Sequence, residues 1–545
     1  MARREGGIFD YIVVGAGSAG SVIASRLSED PDCRVLLLEA GPNDRPSLYL
    51  LRMPVAMDRA AWSRYASQYA SEPDAGLGGR NIVYPRGRVL GGSSSVNGMV
   101  YLRGHRLDYD GWAAEGLTTW SFAHCLPYFK RMETSGRPND AWRGNDGPLR
   151  ITKSAADHPL HRAYLAALRE AGFGMTPDVN GRDLDGAFVM ERTTWGGERM
   201  SAARAYLHPA RNRPNLTIVT GALAERVTFD GRRANGVQFI HRGQRETARA
   251  GRAVVLSAGA FESPKLLMLS GVGPADHLRS FGIDVVADRP SVGANLQDHL
   301  NISMQYACTE PITLYSAATG IGRIRTGLEW LLHRRGVGAS NIWETGSYFS
   351  TGPDVPFPNL QHHFVPVAID ADGSILAEGH GFGFHLSQMR PKSRGRITLR
   401  SADPRDPPRA QFNHFGDPAG ADLAEMRDGI KITRAIAMQP AFDRYRGRAI
   451  EPADSVKTDA EIDTFLRANA GTSHHPSCSC RMGTDADAVV DAATRVNGVE
   501  GLHVADASIM PLVVTANLNA PTIMIAEKAA DLIAGRTPLA PYVPG

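Results

Sequence analysis

Two kinds of apolar pattern divide the chain. Short unbroken runs, Tyr11-Ile12-Val13-Val14 and Val35-Leu36-Leu37-Leu38, read as strands buried on both faces, with a glycine turn and a helix between them. Far along the chain Asn215–Val219, Gly236–Ile240 and Ala253–Leu256 read as further strands that extend the same sheet. The last runs into a helix predicted from Ser263-Pro264 to Leu269 and stopped by Ser270-Gly271-Val272-Gly273. Leu502–Asp506 reads as a strand ending in a carboxylate, and Pro521-Thr522 is predicted to open a final amphipathic helix that stops near Gly535. Residues 300 to 460 instead carry alternating strands such as Asn359–Phe364 and Arg396–Arg400 with isolated helices, the pattern of an antiparallel sheet covered on one face. The expected fold class is therefore α/β combined with α+β, with two units interleaved along the chain.

The first strand leads into Gly15-x-Gly17-x-x-Gly20, with Ser18 and Ala19 at the helix start and Glu39-Ala40 closing the second strand. Glycines at this spacing permit the tight turn, the approach of a pyrophosphate to the backbone, and close packing of helix on strand. The helix amino terminus then faces the phosphates. A carboxylate at Glu39 accepts from ribose hydroxyls and disfavours a 2′-phosphate, which points to NAD or FAD and away from NADP. Residues 1–155, 215–300 and 461–545 are assigned to this Rossmann-like cofactor domain, and 156–214 and 301–460 to a substrate domain.

Composition narrows the class. The 545 residues carry 60 basic and 57 acidic side chains, a formal charge of +3, with no long basic run. A nucleic-acid binder is not expected, and Arg334-Arg335 reads as solvated surface. The most apolar late segment, Ala505–Ala526, is interrupted by Asp506, Pro511, Asn517, Asn519 and Pro521, so it is not a simple membrane span. Met1–Gly7 runs into the first strand without an apolar signal core, which makes the cytoplasm the expected compartment. Five cysteines, odd in number and scattered, argue against a disulfide framework, and Cys478-Ser479-Cys480 has the wrong spacing for a zinc site.

Several long motifs carry a family resemblance. Gly87–Asn97, Gly259–Pro264 with Ser270–Gly273, Gly293-x-Asn295-Leu296-Gln297-Asp298-His299, His475–Gly483 and Asp506–Pro511 resemble, in order, the signatures of the glucose–methanol–choline (GMC) oxidoreductases. The last two segments, with Gly338-Ala339-Ser340-Asn341, are most similar to the bacterial choline dehydrogenase branch. The resemblance implies a fold of the p-hydroxybenzoate hydroxylase type, FAD as cofactor, and oxidation of a small-molecule alcohol with oxygen or a quinone or dye as electron acceptor. It implies a flavin site at Arg88, Gly91, Gly92, Ser93, Asn97, Gly98, Met99, Val100, Asp506, Ala507 and Thr522, and an adenine contact at the backbone of Val227, which otherwise reads as an ordinary strand valine.

Hydride removal from a carbinol carbon needs a base on the hydroxyl, because the alkoxide is the better hydride donor. His475 is similar in position to the family's catalytic histidine and Asn517 to its partner on the alcohol oxygen. His363 resembles a residue that orients substrate, with His362 on the opposite strand face; His474 and His299 read as structural. Two departures stand out. The position from which some relatives attach FAD covalently is Val96, so non-covalent FAD is expected. Choline-oxidising relatives place a glutamate two residues after Gln-Asp-His, where this chain has Asn301. Without Glu344 or an aromatic cage in its place, a trimethylammonium group would lack its charge partner, so a neutral aromatic or polar primary alcohol is the expected substrate. Choline itself, and a hydroxynitrile-lyase type of reaction in which FAD is a bystander, are the alternatives.

Overall fold

The computed structural model describes residues 8–45, 47–137, 140–370, 375–376 and 379–544. The Met1–Gly7 start lies outside them. Strands Ile8–Val14 and Val35–Glu39 pair in parallel around helix Ser18–Leu27, and Leu216–Thr220 joins beyond Val35–Glu39. On the other side of Ile8–Val14 runs the 13-residue strand Gln244–Leu256. Its buried second half pairs in parallel with Leu502–Val504, and its exposed first half continues into an antiparallel meander with Arg233–His241 and Ala222–Asp230. Only the buried half, Ala253–Leu256, is legible as a strand from hydrophobicity, because Gln244–Arg252 is mostly exposed and its inward positions are only the small Ala248 and Ala250.

A second seven-stranded sheet is antiparallel throughout, in the order Arg446–Glu451, Leu300–Cys308, Gly381–Gln388, Leu360–Val365, Thr345–Phe349, Gly186–Val189, with Gly471–Thr472 beside Leu300. Alternation sorts its side chains. His362 bonds Thr433 of helix Ala421–Ala437 (2.8 Å), and Phe364 stacks on Tyr164 of helix Pro159–Glu170 at 4.7 Å. Asn301, Ser303, Gln361, His363, His385 and Ser387 therefore project from the opposite face, because successive residues in a strand point to opposite sides. The predicted strand Arg396–Arg400 is Gly395–Thr398, and it belongs to a separate three-stranded sheet with Ala294–Leu296 and Arg409–Gln411.

Two helix starts differ from expectation. The final helix begins at Asn519, two residues before Pro521, and ends against Gly535. The helix expected from Ser263 begins at Gly259, which puts Pro264 inside it. Pro264 cannot donate to the Ala260 carbonyl four residues back, and that carbonyl accepts instead from Ser479 Oγ at 2.7 Å. Ser479 lies between two buried cysteines, Cys478 and Cys480, so the hydroxyl replaces the missing helix bond in the protein interior. Ser479→Ala should leave this carbonyl unpaired and lower stability by about 1–3 kcal/mol. Denaturant unfolding of the two proteins checks it; equal midpoints would show that another donor replaces the serine.

Candidate active site

Between the two sheets lies a cavity of about 910 Å³. Three helix amino termini open onto it, at Ser18-Ala19, at Gly259-Ala260-Phe261 and at Asn519 with Thr522. Free N–H groups and helix dipoles favour negative charge at such points, the chemistry a phosphate requires, although at the Gly259 helix the first N–H is already taken by Asp506. The first and last helices are tied together where they start, by Ser18 Oγ donating to Asn519 Oδ1 at 2.9 Å. Gly92, in the left-handed region at φ 51°, rests on Gly17; a Cβ there would lie 2.6 Å from the Gly17 Cα. This contact sets the second glycine loop, Gly91-Gly92-Ser93, against the first. Buried Arg199 holds the far end of that loop, donating to the Asn97 carbonyl (2.6 Å) and Asn97 Oδ1 (2.7 Å), and burial lowers its pKa to about 9.

At one end of the cleft Glu39 is fixed by the backbone N–H groups of Ala16 (2.9 Å) and Gly41 (2.7 Å). Burial raises its pKa, opposed by those two amides, and its second lone pairs stay available to ribose hydroxyls. Asp506 accepts from the Gly259 N–H, Ser263 Oγ and the Ser508 N–H, so its carboxylate shapes the turn beside the cleft. Ala40, Arg88, Ser93, Asn97, Gly98, Met99, Val100 and Ala507 also line the cavity. These features fit an extended, twice-phosphorylated dinucleotide.

At the other end the imidazoles gather. His475 follows His474, whose φ of 65° turns the chain so that His475 is buried and His474 exposed. Asp298 pins the turn by accepting from the His475 N–H (2.8 Å) and from Thr472 Oγ1, which itself accepts from the His474 N–H. His475 Nδ1 lies 2.9 Å from His299 Nδ1, its Nε2 lies 3.2 Å from Asn517 Nδ2, and Asn517 Oδ1 lies 3.3 Å from His363 Nε2. One proton arrangement satisfies all three contacts: His363 donates to the Asn517 oxygen, the Asn517 amide donates to His475 Nε2, and His475 Nδ1–H donates to His299. His475 Nε2 is then unprotonated, the form a general base requires, and its one lone pair is held by the Asn517 amide, so a substrate hydroxyl would have to displace that contact. Burial, then the neighbouring imidazoles of His299 and His363, push the His475 pKa well below the ordinary value. Burial likewise lowers His299 to about 3, His385 to about 3 and His363 to about 4.

The cavity-facing side of the antiparallel sheet completes this end. Across its strands Ser303 pairs with His385 and His385 with His363, and Asn301 pairs with Ser387, to which its amide donates at 2.9 Å. Trp343 stands edge-on to His385 (4.8 Å) and His363 (5.7 Å).

Two of the expected site residues, Val227 and Glu344, sit elsewhere than the resemblance implied. Val227 is off the cavity, and its N–H already bonds Ser270 Oγ at 2.8 Å; Ala222, Leu223 and Ala224 of the same strand line the cleft instead. Glu344 is turned away from the cavity lining and is held by Ser340, by the Ala156 N–H (3.0 Å) and by Arg192 (3.3 Å), so it is not the carboxylate that would face a cationic substrate. His299, read as structural, touches His475. Gly20 and Gly91 stand just behind the lining, Gly20 packed on the Gly15 carbonyl and Gly91 donating to the Ala16 carbonyl. Arg199, His385 and Trp343 escaped sequence reading because an isolated Arg, His or Trp in a strand or loop carries no spacing signal.

Known proteins share this architecture. The sequence profile of the GMC oxidoreductases matches residues 9–301 and 391–526. The chain belongs to the GMC oxidoreductase family. An oxygen-dependent choline dehydrogenase of Burkholderia cenocepacia is 50% identical over 545 residues, covering 99% of this chain and 95% of that protein. Among solved structures, pyridoxine 4-oxidase from Mesorbium loti is similar with a TM-score of 0.88 and 31% identity, over 97% of this chain and 100% of the other. An FAD-dependent oxidoreductase from Chaetomium thermophilum gives a TM-score of 0.88 and 26% identity over 97% and 99%. As a GMC oxidoreductase this chain is a flavoenzyme acting on CH–OH groups. No helix among its described residues is long and apolar enough to cross a membrane.

The depressed His475 pKa has a kinetic consequence. The proton leaves His475 below the ordinary histidine value of about 6.5, so the basic form is fully populated above it. Anaerobic flavin reduction by a saturating alcohol should be independent of pH from neutral upward and fall only on the acid side. A rate that climbs about tenfold per pH unit through neutrality would show that His475 is protonated in the resting enzyme.

Proposed function

We propose that this GMC oxidoreductase oxidises a neutral primary alcohol to the aldehyde, using FAD held without a covalent bond. The observation that carries the reading is the uncharged wall opposite His475. Asn301, Ser303, His363 and His385 offer hydrogen bonds and no formal charge at neutral pH, since burial keeps both histidines deprotonated. Such a surface pairs with a hydroxyl, carbonyl or ring nitrogen and gives a buried ammonium nothing to offset its lost hydration. His475 Nε2 takes the substrate's hydroxyl proton, and the Asn517 amide steadies the same oxygen as it becomes an alkoxide. His299, accepting from His475 Nδ1, keeps that ring in the tautomer with its lone pair on Nε2. Bound FAD supplies the hydride acceptor. Val96, buried in the cavity lining, has no nucleophilic atom with which to attach it.

One observation favours choline as a second reading: the 50% identity to proteins named oxygen-dependent choline dehydrogenase. Against it stands the engagement of Glu344 with Arg192. Besides Glu39, Glu262 and Asp506, which are engaged with backbone or side-chain partners, the cavity lining holds half-buried Asp58 and exposed Asp370.

An anaerobic panel of choline and neutral primary alcohols, read by flavin absorbance, separates the readings. Neutral alcohols should bleach the flavin faster than choline, and a lyase-type reaction would leave it oxidised with every alcohol. Asn301→Glu should shift preference toward choline by about 5–150-fold, corresponding to about 1–3 kcal/mol for a partly buried ion pair. Wild-type preference for choline over every neutral alcohol would overturn the proposal and direct mutagenesis to Asp58 and Asp370. His475→Ala should retain FAD and slow reduction by roughly 10²–10⁴-fold; near-normal reduction would remove His475 from the chemistry. Denaturation should release all FAD from the polypeptide, and flavin left on the precipitate would disprove non-covalent binding.

A further inference from the structure

Helix Gly320–His333 carries its apolar side outward. Ile321, Ile324, Leu328, Leu331 and Leu332 are 84%, 61%, 53%, 52% and 71% exposed. At 100° per residue these five side chains fall in one stripe about 100° wide. Elsewhere among the described residues large exposed apolar side chains occur singly or, at Tyr542-Val543, as a pair, so this stripe is not ordinary surface scatter. The opposite side of the helix is anchored. Trp330 is 1% exposed, packs with Met53 and Ala56, and donates its indole N–H to the Gly197 carbonyl at 2.7 Å.

The stripe is bordered by positive charge. Arg323, Arg325 and Arg335 are exposed, and Glu329, the only acidic residue between 320 and 336, pairs with Arg335 at 3.8 Å and leaves Arg323 and Arg325 as the excess charge. Arg334, expected to be solvated like its neighbour, instead caps the helix over the Trp330 ring at 4.2 Å and bonds Glu198 at 2.9 Å. An exposed aliphatic stripe flanked by arginines is the pattern of a helix that lies in a membrane interface. At 14 residues, about 21 Å, it is too short to cross a bilayer.

We propose that Gly320–His333 is a docking surface for an anionic lipid bilayer, its aliphatic stripe entering the headgroup–acyl boundary while Arg323 and Arg325 bind lipid phosphates. A second copy of the chain is the poorer occupant, since two-fold pairing of the same stripe would bring the flanking arginines of both copies together. Docking would set the membrane beside the active-site cleft, because Met53 and Ala56 under Trp330 lead directly into Met57 and Asp58 of the cavity wall.

Co-sedimentation of the FAD-loaded full-length protein with phosphatidylglycerol–phosphatidylcholine vesicles and with pure phosphatidylcholine vesicles tests the assignment. Binding to the anionic vesicles should exceed binding to the neutral ones by at least about tenfold and weaken as salt is raised. The triple variant Ile324→Gln, Leu328→Gln, Leu332→Gln should lose at least about tenfold in vesicle binding. It should keep its flavin content and its rate of flavin reduction, since all three positions are exposed and remote from the imidazole cluster. Arg323→Gln with Arg325→Gln should abolish the preference for anionic lipid. Failure of the wild-type protein to sediment with anionic vesicles, or unchanged binding by the triple variant, overturns the proposal. So does a wild-type dimer that light scattering finds monomeric in the triple variant, because the stripe would then be a subunit interface.

Discussion

Two backbone turns touch where Gly92 rests on Gly17, and much of the active-site architecture follows from that contact. Any side chain at Gly92 would meet the Gly17 Cα, so the second glycine loop could not close on the first, and the segment that follows it, Ser93 to Val100, would be lifted off the cleft. The loop also positions charge. It is held at one end by the Gly91 N–H on the Ala16 carbonyl and at the other by Arg199 on Asn97, a buried guanidinium used as a clamp. With these ties in place, the amino termini of the Ser18, Gly259 and Asn519 helices all line one cavity, with Glu39 and His475 also in its wall.

The chemistry depends on a second constraint, the desolvation of a group of histidines. An imidazole in water would be partly protonated at neutral pH, but His475 is enclosed by His299, Asn517 and His363, and each buried ring makes a charge on its neighbours more costly. His475 is thereby kept neutral without a carboxylate behind it. Asp298, which in other arrangements could stabilise an imidazolium, spends its oxygens on the His475 N–H and on Thr472. The carboxylate fixes where the ring sits and leaves its proton affinity to the surroundings.

Much of the cofactor cleft was legible in the sequence because glycines and short apolar strands report directly on backbone geometry. Gly15, Gly17, Glu39 and the Gly91–Ser93 loop are constrained by steric rules that act within a few residues, and the parallel strands are buried on both faces. Partner choice was less legible. Val227 lies in a strand that does reach the cleft, yet the Ser270 hydroxyl, 43 residues away, occupies its N–H. Glu344 adjoins Trp343, which lines the cavity, but Arg192 draws its side chain elsewhere. His299 lies in a recognisable motif, and only the fold brings it to His475 across 176 residues. The start of the Gly259 helix was displaced by a proline rule that holds locally and was overridden by one hydroxyl, Ser479, from a distant segment.

The two faces of the antiparallel sheet carry different constraints. Its helix-facing side, with His362, Phe364, Phe384 and Leu386, is committed to packing, and substitutions there cost stability. Its other side is tied by side-chain hydrogen bonds instead: Asn301 donates to Ser387, Ser387 bonds Ser473, and Ser303 bonds His385. A carboxylate introduced at Asn301 would take the place of an amide that donates to Ser387, whose hydroxyl could donate in return, so the hydrogen bond can reverse direction as the charge appears. On the proposed reading, a charge can therefore be introduced at one strand position while His475, Asn517 and the glycine loops, each tied down by long-range contacts, keep their places.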